Sequence, residues 1–202
     1  MAKYTLRDIR QSTYDRMFLE PSEYAEYDAF FNTAINDACM ELCKRFSIAR
    51  EYELVKSAST DEGYERYDLI ELTRDDDDER TFMSFAESPV YKITEEGIIP
   101  YNYHYTSLDQ YLYLPCEESG TFIVHYNAYP KKIDDNTSQD YEMEFEPEIC
   151  QYLPMLCAWR IFLDDDISRA TMYYNEYVQS ITENVKPPQL TAGVRIREGY
   201  DL

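Results

Sequence analysis

Glycine is scarce, with five residues in a chain of 202. That leaves little material for a phosphate-cradling loop, and no G-x-G-x-x-G or G-x-x-x-x-G-K-[ST] run occurs. Histidine is scarcer still, at His104 and His125 alone. Two histidines are too few for a His-rich metal site, and no H-E-x-x-H, G-x-S-x-G or C-x-x-C is present. A single tryptophan argues against the aromatic cleft in which a glycosidase carboxylate pair usually sits. Positive charge is short as well: 19 Lys and Arg stand against 40 Asp and Glu, a formal net charge of −21. Such a chain cannot neutralise the phosphates of a duplex unless one face is locally basic. No apolar run approaches the ~18 residues of a membrane span, and the opening MAKYTLRDIRQS lacks the apolar stretch of a secretory signal. The expectation is a protein with no catalytic residues, no metal, no cofactor and no membrane partner.

What is present is apolar and aromatic. Hydrophobic residues make up 44% of the chain, enough to close a core, so it is not a disordered acidic polymer. Tyrosine is abundant at 21 residues, with nine phenylalanines. Tyrosine gives rigid contact area with a polar end and is enriched where proteins touch. The five cysteines, Cys39, Cys43, Cys116, Cys150 and Cys157, are odd in number and fit reduced, buried, small apolar residues of a protein assembled in a cytosol. Cys39 and Cys43 lie one helical turn apart but have no histidine beside them, which favours core over metal.

Periodicity divides the chain. In residues 3–19, Leu6, Ile9, Tyr14 and Met17 suit one helix. Ser22 is a candidate N-cap for a helix from 23 to about 46, where Phe31, Ala34, Ile35, Ala38, Cys39, Leu42 and Phe46 recur at spacings of three and four. This helix is expected to run on to about Leu54. Between 57 and 144 short Tyr-, Ile-, Phe- and Val-rich runs alternate with turns, at 67–72, 82–86, 90–94, 98–105, 110–114 and 121–129. They read as an antiparallel meander or small sandwich, with Asp75, Asp76, Asp77 and Asp78 at a hairpin tip, either solvated or holding a cation. Helical spacing returns at Pro147 and continues through Leu153, Leu156 and Cys157, with a kink expected near Gln151 and Tyr152 because Pro154 removes a hydrogen bond. Asp164, Asp165 and Asp166 interrupt it before a last helix over 167–185, which Pro187-Pro188 ends.

The fold class is therefore α+β: a helical bundle from both ends of the chain with a β-rich antiparallel insertion in the middle. The expected organisation is one domain over 1–202, with 20–56 and 145–185 helical, 57–144 β-rich and 186–202 an extended C-terminal arm. Phe31, Ile35, Ala38, Leu42, Leu153, Leu156 and Cys157 should share one core. Arg160, after an apolar helix segment, either snorkels, pairs with a carboxylate or meets a neighbouring subunit. Tyr173, Tyr174 and Tyr177 form an aromatic stripe for core and subunit-interface packing. The arm is less acidic than the rest, since Lys186, Arg195 and Arg197 balance Glu198 and Asp201. Leu190, Val194, Arg195, Ile196 and Arg197 are its candidate contacts with a neighbouring subunit or another protein; the alternative is a disordered tail.

The segments GTFIVHYNAYPKKI and DNTSQDYEMEFEPEICQYLPMLCAWRIFLDDDISRATMYYNEYVQSI carry a resemblance. A strand ends in the Tyr129-Pro130 turn, and an acidic loop leads to Glu146-Pro147-Glu148. A helix with Leu153-Pro154 and Ala158 follows, then Asp164 to Asp166, then Ala170, Tyr173, Tyr174 and Tyr177. This pattern resembles the head-to-tail adaptor proteins of tailed bacteriophages, also called connector or neck ring proteins. The resemblance implies a non-enzymatic virion subunit, assembled in the host cytoplasm and placed in the neck. A dozen copies would form a ring on the portal protein, extend the DNA channel without specific DNA binding, and receive stopper or tail proteins. An acidic lumen that repels phosphate agrees with that role. The readings that compete with it are an acidic DNA-mimic inhibitor, a stopper or tail-completion protein, and a carboxylate-dependent hydrolase.

Overall fold

The computed structural model describes residues 3–74, 82–101 and 106–184. It is an α+β structure of helices and two antiparallel sheets. Leu190, Val194, Arg195, Ile196 and Arg197, the four aspartates from Asp75 to Asp78, and His104 lie outside the described residues.

Helix α1 (Leu6–Met17) begins at a capping box: the Thr5 hydroxyl accepts from the Asp8 N–H, and the Asp8 carboxylate accepts from the Thr5 N–H at 2.9 Å. Two of the orphan amides at the helix start are thereby satisfied. Its buried face is Leu6, Ile9, Tyr14 and Met17, as the spacing requires. Helix α2 (Tyr24–Cys43) buries Phe31, Ala34, Ile35, Ala38, Cys39 and Leu42. Ser22 does not cap it; Glu23 occupies the cap position with no side-chain bond to the helix. Its carboxylate instead accepts from the Glu20 N–H at 2.7 Å and so shapes the entering turn.

The helix stops at Cys43 rather than Leu54, because residues Ile48–Lys56 are strand β1. Arg, Glu and Leu favour helix locally, but all nine β1 residues pair antiparallel with β7 (Gly120–Ala128). Ladder hydrogen bonds and cross-strand packing override that weak preference. One sheet has the order β1-β7-β3-β4, with β3 at Phe82–Thr94 and β4 at Gly97–Pro100. The expected break between 86 and 90 is not a turn. It is an irregular stretch inside β3, where the register with β7 shifts between Phe85 and Val90 and lets Pro89 into the strand. The second sheet has the order β2-β6-β5, with β2 at Tyr64–Asp68, β5 at Thr106–Leu108 and β6 at Tyr111–Pro115. The one-turn helix α3 (Leu69–Leu72) follows β2 where the run at 67–72 reads as strand; Asp68 caps it, accepting from the Ile70 N–H at 3.0 Å.

Alternation in β7 buries Phe122, Val124, Tyr126 and Ala128, which join Leu112 and Leu114 of β6 in a core between the sheets. Phe145, Pro147 and the helices that follow belong elsewhere. Pro147 starts the short α4 (Pro147–Cys150), a turn at Gln151 and Tyr152 takes up the bend that Pro154 demands, and α5 (Leu153–Phe162) continues. Helix α6 (Ile167–Asn184) closes the set. Helix α5 packs against α1, α2 and α6. Phe31, Ile35, Ala38, Leu42, Leu153, Leu156 and Cys157 are each at most 2% exposed and share one cluster. Strand β1 reaches both cores, placing Ile48 in the helical cluster and Leu54 in the sheet cluster.

Residues 129–146 form no strand, although they fall within the expected β-rich segment. Side chains and stray backbone bonds hold them instead. The Leu6, Arg7 and Met143 amides donate to Tyr141, Gln139 and Tyr4 carbonyls, which lays the segment against the start of α1. Arg50 of β1 pairs with Glu144 at 2.6 Å, and Glu144 also accepts from the Lys131 N–H at 2.8 Å.

Candidate assembly surface

Arg160 lies on the half-exposed side of α5 between Trp159 and Ile161. Its Nε donates to the Asp37 carboxylate of α2. Both partners are partly solvated, at 32% and 44%, so the pair contributes little to stability; it fixes the guanidinium and cancels its charge. The carboxylate-pairing reading of Arg160 is thus the local geometry. On one side of it, α2 and the end of α5 form a groove of about 250 Å³ lined by the apolar Tyr27, Phe30 and Ile161 and the acidic Glu26, Asp164 and Asp165, among others. Phe30 is 61% exposed there. On the other side a second depression is lined by Met40, Lys44 and Trp159.

The aromatic stripe divides. Tyr173 and Tyr177 are buried in the chain's own core. Tyr173 stacks on Phe162 with ring centroids 6.0 Å apart, and its hydroxyl donates to the Arg16 carbonyl at 2.7 Å, tying α6 to the end of α1. Tyr177 meets Tyr152 edge-on, and burial pushes its phenol up to about 12. Tyr174 is half-buried against Trp159 at 5.0 Å. Of the four expected interface residues, Arg160 and Tyr174 therefore present surface, through a common neighbour in Trp159. Further exposed apolar side chains of the helical part are Phe18, Met40, Ile167 and Met172.

The acidic break before α6 has a local role. The Asp166 carboxylate accepts from the Ser168 and Arg169 N–H groups at 3.1 and 3.0 Å, capping the helix with a charge suited to its dipole. Asp164 and Asp165 remain exposed. Cys39 and Cys43 are buried, and desolvation raises both thiols, Cys43 to about 11. Among the described residues no group of three or more His, Cys, Asp or Glu side chains is placed to hold a metal ion. His125 lies on the outward face of β7, edge-on to Tyr91 and 3.5 Å from Glu51. No helix of the described residues is long and apolar enough to cross a membrane.

Two features had no signal in the residue pattern. Asn36 reaches across to the 129–146 segment, and the side chain of Lys56 is wholly buried. The Lys56 ammonium donates to the carbonyls of Ser57, Cys116 and Glu118 at 3.0–3.2 Å and lies 3.2 Å from Glu65. A buried ammonium needs such a set of acceptors. It joins the end of β1 to the β6–β7 turn, but a single Lys closing a strand is ordinary in sequence.

A family model described as "SU10 adaptor protein" matches residues 4–197, nearly the whole chain. No curated protein matches it.

Proposed function

The chain belongs to the SU10 adaptor protein family, and from that membership we propose that it forms a ring between the head and the tail of a bacteriophage. Membership makes it a structural protein of a phage particle, one that contacts other virion proteins. In the proposed reading the copies dock on the portal, extend the DNA channel and receive the stopper or tail. The match over residues 4–197 carries this reading, because it covers the helices, both sheets and most of the arm together. Three physical features support it. The net charge of −21 lets DNA pass without adhering. Exposed apolar side chains on the helical part, Phe30 and Met40 of α2 and Ile167 and Met172 of α6, are contact material. The five cysteines are buried and unbridged, as suits assembly in a reducing cytoplasm. The chain then acts as one domain in which the helical part makes the ring, with Arg160 and Tyr174 at lateral contacts, and the arm from 186 onward engages the portal or a neighbour through Leu190, Val194, Arg195, Ile196 and Arg197.

Co-sedimentation with purified portal rings tests the proposal. Full-length protein should sediment with the portal in a fixed ratio, and a chain ending at residue 186 should lose that binding while keeping its melting temperature. Failure of the full-length chain to bind portal rings would remove the docking role. Binding of the shortened chain equal to full length would remove the arm from it.

A further inference from the structure

We propose that the groove between α2 and the end of α5 is the seat of the C-terminal segment 190–197 of another copy of the chain; the proposal rests on the ring reading above. The groove is lined by apolar and acidic side chains together. Tyr27, Phe30 and Ile161 line it, and Glu26, Asp164 and Asp165 supply negative charge. Among the described residues of its lining the one cation, Arg160, is matched by Asp37. The Phe30 ring, at 61% exposure, leaves apolar surface in water at this groove. The occupant that suits it carries aliphatic groups and positive charge in alternation. Within this acidic chain the run Val194-Arg195-Ile196-Arg197, preceded by Leu190, has that composition. Two guanidiniums meeting two or three carboxylates beside apolar side chains make a charge-complementary pair of surfaces.

Geometry favours a second copy over the chain's own segment. Asp164 and Asp165 precede the first turn of α6, and α6 is 18 residues long. At 1.5 Å per residue it carries the chain about 25 Å away before the segment begins. To reach its own groove the segment would have to double back along α6. A neighbour in a head-to-tail ring supplies it directly.

The test uses full-length protein. All five native thiols are buried, so introduced cysteines report alone. One preparation carries Phe30→Cys, a second carries Ile196→Cys, and the two are mixed with a short bismaleimide, with and without portal rings. A disulfide-independent product of twice the chain mass, bridged between positions 30 and 196, is expected. Adding Asp164→Lys and Asp165→Lys to the first partner should lower its yield about tenfold, and adding Arg195→Glu and Arg197→Glu to the second should restore it. Restoration by the reversed pair shows that neither partner has lost its fold. No bridged product in either arm overturns the inference, as does a yield indifferent to charge reversal. Bridging found only within one chain, in a Phe30→Cys/Ile196→Cys double variant diluted with unmodified protein, also overturns it. Sedimentation of the same samples keeps the two readings apart: ring-sized particles without the bridge sink this inference alone.

Discussion

The side-chain amide of Asn36 clasps the backbone of Ile133 from both sides: its Nδ2 donates to the Ile133 carbonyl at 2.8 Å, and its Oδ1 accepts from the Ile133 N–H at 2.8 Å. One side chain thus imitates a strand partner for a residue that has none among the described residues, and it fastens the connection after β7 to helix α2. The Ile133 side chain is carried into the helical core by that clasp. Asn36→Ala leaves a donor and an acceptor unsatisfied in a partly buried place, and should cost about 1–3 kcal/mol. Urea unfolding checks this, and a loss under about 0.5 kcal/mol would show that water replaces the amide freely.

Leu156 is fully buried where α5 meets its three neighbouring helices. Leu156→Ala should cost roughly 2–5 kcal/mol, the range for a cavity in a well-packed core. The same denaturant series reads it, and an effect no larger than that of an exposed site such as Met172→Ala would contradict the packing described.

How much of this was legible in sequence depends on what held each element. Phe31 to Leu42 and Leu153 to Cys157 bury themselves by a helical repeat, so spacing alone located their shared core. Strand β1 reads as helix in sequence because Arg50, Glu51, Glu53 and Leu54 are good helix formers and its partner β7 lies some 70 residues away; only that pairing decides the matter. The pieces of β3 looked separate because Glu87-Ser88-Pro89 reads as a turn, whereas a shifted register absorbs it. Asn36 and Lys56 bond to backbone carbonyls and amides far away, and residue identity carries no trace of that. In the candidate surface, Arg160 was visible as an anomaly on an apolar helix. The exposure of Phe30 was not, since its neighbour Phe31 on the same helix is fully buried and nothing but the helix phase separates them.

The cysteines should be inert in the folded protein. Burial raises the thiols of Cys39, Cys43, Cys150 and Cys157, and the thiolate is the reactive form. A chromogenic disulfide reagent at pH 8 should release almost no colour from native protein and the equivalent of five thiols after denaturation. Rapid reaction of a native thiol would place that cysteine at the surface.

Alkali should unfold the protein in a window set by its buried tyrosines. Desolvation pushes Tyr177 and Tyr101 up to about 12, against an ordinary value near 10. Between those values the unfolded phenol has lost its proton and the folded one has kept it, so stability falls as pH rises from about 10 to about 12. The Tyr177 hydroxyl has no hydrogen-bond partner among the described residues. Tyr177→Phe should therefore be nearly neutral at pH 7 and should soften the alkaline loss. Denaturation midpoints measured at pH 7, 10 and 11.5 decide it; a midpoint independent of pH in that window would mean that these phenols are solvated.

The ring itself is tested most directly by imaging. Neck complexes purified from the phage that carries this chain, examined by electron microscopy and labelled with an antibody to it, should show a closed ring of its copies on the portal, around the DNA channel. Label confined to the head shell or the tail fibres, or a neck ring built without this chain, would contradict the account.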